Sequence, residues 1–173
     1  MIKKHKHQAR TVALQTLYQL DIQRLPADAD VAPLISPLLA ETDLPADMAA
    51  YARRLAAGTW TAREHYDAMI SSVSNHWDVA RMAVVDRNVL RLSLYELIEQ
   101  PDVPIRVAID EAIELGREFG AAETPQFING VLDAVWKQHE TCRSARAGQE
   151  PAVGGGGEKP GVRSQQPEVR SEK

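Results

Sequence analysis

The chain has 173 residues, 44% of them apolar and 25% charged, which is enough for one domain with a sizeable core plus extensions. Its single cysteine, Cys142, excludes an internal disulfide and argues against a Cys-based metal site. No apolar run approaches the roughly 18 residues of a membrane span, and the basic start MIKKHKHQAR has no apolar segment behind it, so neither a membrane helix nor a secretory signal is expected and a reduced, cytoplasmic setting fits.

The net charge of −4 is unevenly spread. The first ten residues carry Lys3, Lys4, Lys6 and Arg10 and no acid, residues 141–173 carry six basic and four acidic groups, and the stretch between them is therefore −10. A basic start on an acidic body suits two kinds of partner, a polyanion at one end and a basic surface elsewhere. Alternation with period two is almost absent, so the expected fold is all-α, a compact bundle of six to seven helices.

The first helix is expected from Gln8 to Leu25, with Ala13, Leu14, Leu17, Tyr18 and Leu25 on one broad face and Thr11, Gln15, Gln19 and Gln23 on the other. Residues 1–7 ahead of it form a flexible basic arm. One reading of that arm is a frayed terminus; the other is a phosphate-contacting segment that gains affinity by counterion release. His5 and His7 resemble a metal pair without a third ligand nearby, so metal binding is not expected. A short second helix lies between Val31 and Glu41, kinked or restarted at Pro37.

In the third helix Met48, Ala52, Leu55, Thr59, Ala62, Tyr66, Met69 and Val73 recur at heptad-like spacing. Ala and Thr are weak seam residues, which favours a seam inside the bundle over a coiled coil between chains. Gly58, in its middle, suits a close packing contact or a bend. Trp77 and Asp78 open a turn into the stretch Met82–Ile98, whose apolar residues cover more than half a helical circumference, as befits the centre of a bundle. Asp86 and Glu96 lie inside that apolar arc and Arg87 and Arg91 on its border, so these charges need partners. Glu96 is expected to have a structural partner such as an arginine.

The fifth helix runs from Pro104 to Phe119 with a seam of Ile105, Ile109, Ala112, Gly116 and Phe119. Glu111, Glu114 and Glu118 form an acidic outer face, and Gly120 is a left-handed C-terminal cap. Thr124–Pro125 reads as N-cap and first position of a sixth helix. Its stripe is Phe127, Ile128, Val131, Leu132, Val135 and Trp136. After about Glu140 the periodicity collapses into Gly, Pro and polar residues, and 141–173 reads as a disordered tail after a folded domain over 8–140. No catalytic constellation stands up. GGGG at 154–157 lacks the Lys-Ser/Thr of a phosphate loop, and neither an enzyme nor a cofactor is expected.

The segments ARTVALQTLYQLD (9–21), VVDRNVLRLSLYEL (84–97), VPIRVAIDEAIELGREFG (103–120) and FINGVLDAVW (127–136), in that order, resemble the NusB transcription antitermination family over roughly residues 1–140. The resemblance implies an all-helical protein that binds the boxA element of ribosomal RNA leader transcripts together with ribosomal protein NusE, in an RNA polymerase antitermination complex. It implies RNA contacts at Lys3, Lys4, Lys6 and Arg10, where lysine and histidine replace most of the family's arginines. Lysine keeps the charge and loses the bidentate, stacking guanidinium. It further implies RNA contacts at Gln126 and Phe127, at the start of the sixth helix, although Phe127 also suits plain core packing. Tyr18 and Asp86 fall on positions used towards NusE. Asp110 stands where the family usually has Asn. Family members occur as monomers or dimers, so a homodimer is a further possible assembly. The alternative to RNA binding is a helical protein–protein adaptor in which the basic arm is incidental.

Overall fold

The computed structural model describes residues 2–73 and 78–147. It consists of α1 (Ile2–Ile22), α2 (Ala32–Ala40), α3 (Ala46–Thr61), α4 (Arg63–Val73), a 3₁₀ turn at Val79–Arg81, α5 (Val84–Glu99), α6 (Ile105–Phe119) and α7 (Thr124–Ala147). Among the described residues there is no strand, and no helix is long and apolar enough to cross a membrane. The all-α bundle expected from periodicity is the one observed.

The Met82–Ile98 stretch does occupy the centre. α5 packs against α1, α3, α4, α6 and α7, and Val89, Leu90, Leu92, Leu94 and Leu97 are buried along it. One apolar core joins Val89, Leu90, Leu92 and Leu94 to Leu14, Leu17 and Leu20 of α1, Leu55 of α3, Ile70 of α4 and Ile128 and Leu132 of α7. A satellite of Val103 and Ala108, with Trp136 packed beside it, closes the far end around Leu97.

Several boundaries differ from the sequence reading, each for a local reason. α1 begins at Ile2, so the flexible arm expected over 1–7 is, from Ile2 onward, the first turns of the helix. The helix ends at Ile22 and not Leu25. Arg24 adopts φ 53°, and the Leu25 N–H donates to the Leu20 carbonyl at 3.0 Å, which is the wrapped-back pattern that satisfies end carbonyls. Pro37 sits within α2, which needs no restart.

The long third helix is two. It breaks at Ala62 (φ −96°, ψ 13°). There the Arg63 guanidinium lies 4.5 Å over the Trp60 ring and donates to the Trp60 carbonyl at 3.2 Å, supplying a donor at the helix end. Beyond the break the expected seam continues, with Tyr66 buried and Ala62, Met69 and Val73 half-buried against the core, and Ile70 joins it as a further buried position.

α6 is rotated from its expected face. Ala108, Glu111, Ala112, Leu115 and Gly116 are buried and Ile105 is exposed. Gly120 is not left-handed; its backbone is extended (φ −97°, ψ −172°). α7 carries on past Glu140 to Ala147, so the first residues assigned to the tail are helical. The expected fading at Ser74–Asn75, the turn residue Trp77 and the remainder of the tail, 148–173, lie outside the described residues.

Gly58 is a close-contact glycine. A Cβ placed there would overlap the Cε2, Cζ and hydroxyl oxygen of Tyr95 on α5. Gly58→Ala is therefore expected to lower stability by about 1–3 kcal/mol through overpacking, despite alanine's better helix propensity, in a urea denaturation of the two proteins.

Candidate nucleic-acid and partner interface

The basic residues at the start of α1 divide by burial. Lys3 and Lys4 are exposed and Lys6 and His7 half-buried, whereas Arg10, one helical turn further, is 2% exposed. Its guanidinium donates twice from Nε and once from Nη2 to the Glu96 carboxylate, at 2.8–3.0 Å, and Nη1 lies 3.2 Å from Glu111. The Tyr51 hydroxyl donates to the same Glu96 carboxylate. Arg10 is thus removed from the expected RNA contacts. Its charge is neutralised inside the bundle and no phosphate can reach it. The arginine partner expected for Glu96 is Arg10.

The acidic outer face expected on α6 is also split. Glu111 is 5% exposed and takes His7 Nδ1 at 2.9 Å as well as Arg10. Glu118 takes His7 Nε2 at 3.1 Å. Both ring nitrogens of His7 therefore face carboxylates, and only the imidazolium can donate from both. Burial pushes the His7 pKa down, but the hydrogen bonds and charges of Glu111 and Glu118 outweigh it and hold the group above its ordinary 6.5. Beside this clamp lies an open groove of about 820 Å³ lined by Lys3, Lys4, His7, Asp110, Glu114 and Arg117. The lysines there stand beside α6 carboxylates, so a phosphate approaching them meets a mixed field.

A second groove, of about 440 Å³, is largely apolar. Leu14, Gln15, Tyr18 and Gln19 of α1 line it with Leu38, Val85 and Phe119. Tyr18 is 42% exposed and Ile22, one turn on, 54%. Exposed aromatic and aliphatic side chains beside a shallow apolar cleft suit a protein partner. Asp86, next to Val85 in the chain, is half-buried, and its Oδ1 accepts the Thr124 hydroxyl at 2.9 Å. Thr124 opens α7 and also binds backward. Its oxygen accepts the Ala121 N–H behind it at 3.0 Å. Gln126 is exposed at the start of α7, and Phe127 is half-buried against the main core.

Sequence reasoning missed Asp21. It sits among Arg87 (2.7 Å), Asn88 (2.8 Å) and Arg91 (2.9 Å), and Arg91 also holds Asp67 at 2.7 Å. Burial raises the Asp21 pKa, but hydrogen bonds from Arg87 and Asn88 and the charges of Arg91 and Arg87 prevail and keep it below its usual value. The border arginines of α5 were the available signal, since charges beside an apolar arc require counter-charges on the helix packed there. Among the described residues no three His, Cys, Asp or Glu groups are placed to hold a metal ion.

Two outcomes follow for the clamped end of α1. Because the His7 pKa is raised on folding, its stabilisation is complete below its unfolded value, near 6.5, and fades as pH rises through the folded one. Urea melts should therefore show His7→Gln less stable than the parent below pH 6.5 and the gap narrowing as pH rises above it; a gap that widens with pH would refute the imidazolium clamp. Glu96→Gln weakens the neutralisation of a buried guanidinium and should cost on the order of 2–3 kcal/mol. Thermal melting reads that loss, and binding measured on the folded variant should change little.

The NusB family model matches residues 7–137. The chain is 40% identical over 134 residues to the transcription antitermination protein NusB of Symbiobacterium thermophilum, covering 75% of this chain and 88% of the relative. It is 42% identical over 127 residues to that of Desulfitobacterium hafniense, covering 73% and 84%. Among solved structures, T. maritima NusB superposes with a TM-score of 0.71 at 34% identity, covering 82% of this chain and 96% of that one. The antitermination factors NusB and NusE in complex with dsRNA match with a TM-score of 0.68 at 25% identity, covering 78% and 98%. With a family model spanning most of the helical bundle and relatives near 40% identity over three quarters of its length, this chain belongs to the NusB family.

Proposed function

We propose that the chain is a transcription antitermination factor that binds boxA-type single-stranded RNA of ribosomal RNA leader transcripts together with ribosomal protein NusE. It acts by adhesion within the RNA polymerase antitermination complex, not by catalysis, and a cytoplasmic location follows from that role. The observation that carries the RNA and NusE parts of this reading is the likeness, over 78% of the chain, to NusB solved with NusE in complex with dsRNA; the single-stranded preference rests on the accessibility of unpaired bases. The local chemistry supports it. Lys3 and Lys4 are exposed on the first turn of α1, with Lys6 beside them, and supply phosphate contacts. Gln126 and Phe127 at the start of α7 supply hydrogen bonding and an aromatic face for an unpaired base. Tyr18 in its apolar groove and Asp86, next in the chain to the groove residue Val85, face NusE, and the acidic body suits a basic ribosomal protein.

The adaptor reading, protein binding without specific RNA, draws on the same Tyr18 groove, and a homodimer would compete for that face. A fluorescence titration separates them. Labelled boxA RNA, with NusE present, should bind more tightly than a scrambled strand or a duplex of the same sequence; equal binding of all three would leave only the adaptor. Lys3→Ala/Lys4→Ala should weaken RNA binding several-fold. If each lysine meets one phosphate, it should also flatten the slope of log K against log salt by about 1.4, the value for two single-strand contacts. NusE binding without RNA should be unchanged.

A further inference from the structure

The turn between α6 and α7 is folded around one side chain. Thr124 is 2% exposed. Its N–H donates to the Ala121 carbonyl at 3.1 Å, its hydroxyl oxygen accepts the Ala121 N–H at 3.0 Å, and the hydroxyl donates to Asp86 Oδ1 at 2.9 Å. Gly116 of α6 and Gly120 just after it make room for it. A Cβ on Gly120 would lie 2.5–2.6 Å from Thr124 side-chain atoms, and one on Gly116 would lie 3.1 Å from its Cγ2. Gly120 is extended and so is not present for a left-handed backbone; it is present because threonine occupies the space. The hydroxyl ties the first residue of α7 to the first turn of α5, the most enclosed helix of the bundle.

We propose that Thr124, held by Asp86, is the positioning residue for Gln126 and Phe127. It sets the direction in which α7 leaves the turn and thus where these two side chains meet RNA. The inference rests on the RNA-binding reading above. Thr124 itself is too buried to touch a ligand, so it acts only through its neighbours. The same geometry assigns a mode of contact. The Asp86 carboxylate sits at the start of α7, where the positive end of the helix would otherwise attract a phosphate. With that polarity already answered, Gln126 and Phe127 engage bases, and phosphate contact is left to the lysines of α1.

The test uses the full chain, the boxA-type RNA and NusE, with Thr124→Val and Thr124→Ser compared at several salt concentrations. Valine keeps the shape and deletes the hydroxyl; serine keeps the hydroxyl. Thr124→Val should weaken RNA binding roughly fivefold, the scale of one lost hydrogen bond. It should leave the salt slope unchanged, and Thr124→Ser should restore binding to within about twofold of the parent. Wild-type RNA affinity in the valine variant, a serine variant as weak as valine, or a flattened salt slope would each overturn the assignment. Should the valine variant not fold, Thr124→Ala removes the same hydroxyl without valine's buried methyl against Asp86 and is judged by the same outcomes. A parent protein with no preference for the RNA would instead overturn the function on which the inference rests.

Discussion

The arginine at position 10 is the constraint around which this bundle is arranged. A guanidinium buried to this degree is tolerable only with carboxylates and hydrogen bonds on every side. α5 provides Glu96, α6 provides Glu111, and α3 adds Tyr51 to Glu96. One charge on α1 thereby fixes its placement against three other helices. At the opposite end of α1 the polarity is reversed, with Asp21 facing Arg87 and Arg91 of α5. The two clusters are eleven residues apart on α1, about 16 Å along a helix. They can both close only if α1 and α5 run antiparallel in this register. Apolar packing alone would tolerate a shift of one turn; these charges do not.

That arrangement also determines what is left for solvent. With Arg10 turned inward, the cations presented at the start of α1 are lysines, and they lie beside the carboxylates of α6. A surface of this kind attracts a polyanion without holding it tightly at low cost in specificity, because ammonium groups are point charges without a fixed bonding plane. The start of α7, by contrast, is anchored through Thr124 to α5. The apolar cleft at Tyr18 lies between these regions in the sequence but is lined by different side chains, so a protein partner and an RNA can be accommodated together.

Much of the fold was legible because periodicity reports burial. The breadth of the apolar arc on Met82–Ile98 marked the central helix, and the stray acid Glu96 within it announced a buried partner. What escaped was long-range charge pairing. Arg10 looked like one more member of a basic run, since nothing in its neighbourhood distinguishes it from Lys6; its fate depends on residues 96 and 111. Glu111 looked like part of a solvated acidic face for the same reason, and its burial rotates α6 away from Ile105. Gly120 was legible as a helix end but not as a packing position, because the side chain it accommodates arrives four residues later from α7. The break at Ala62 is accompanied by Arg63 reaching back to the Trp60 carbonyl, a local bond that a heptad count does not contain.

The pairing of His7 and Arg10 with Glu111 spans more than a hundred residues of chain. During synthesis the ribosome releases α1 first, with a guanidinium that has no counter-charge and a row of leucines that has no core. α2 and α3 emerge next and cover part of its apolar face, but the acids that make burial of Arg10 favourable, Glu96 and Glu111, lie in the second half of the chain. The N-terminal helix must therefore wait, loosely held, until α5 and α6 have left the exit tunnel. Such long-range closure is slow and leaves apolar surface exposed meanwhile. A chain cut short before residue 111 would consequently lose its N-terminal helix as a fixed element, although every residue of that helix would still be present.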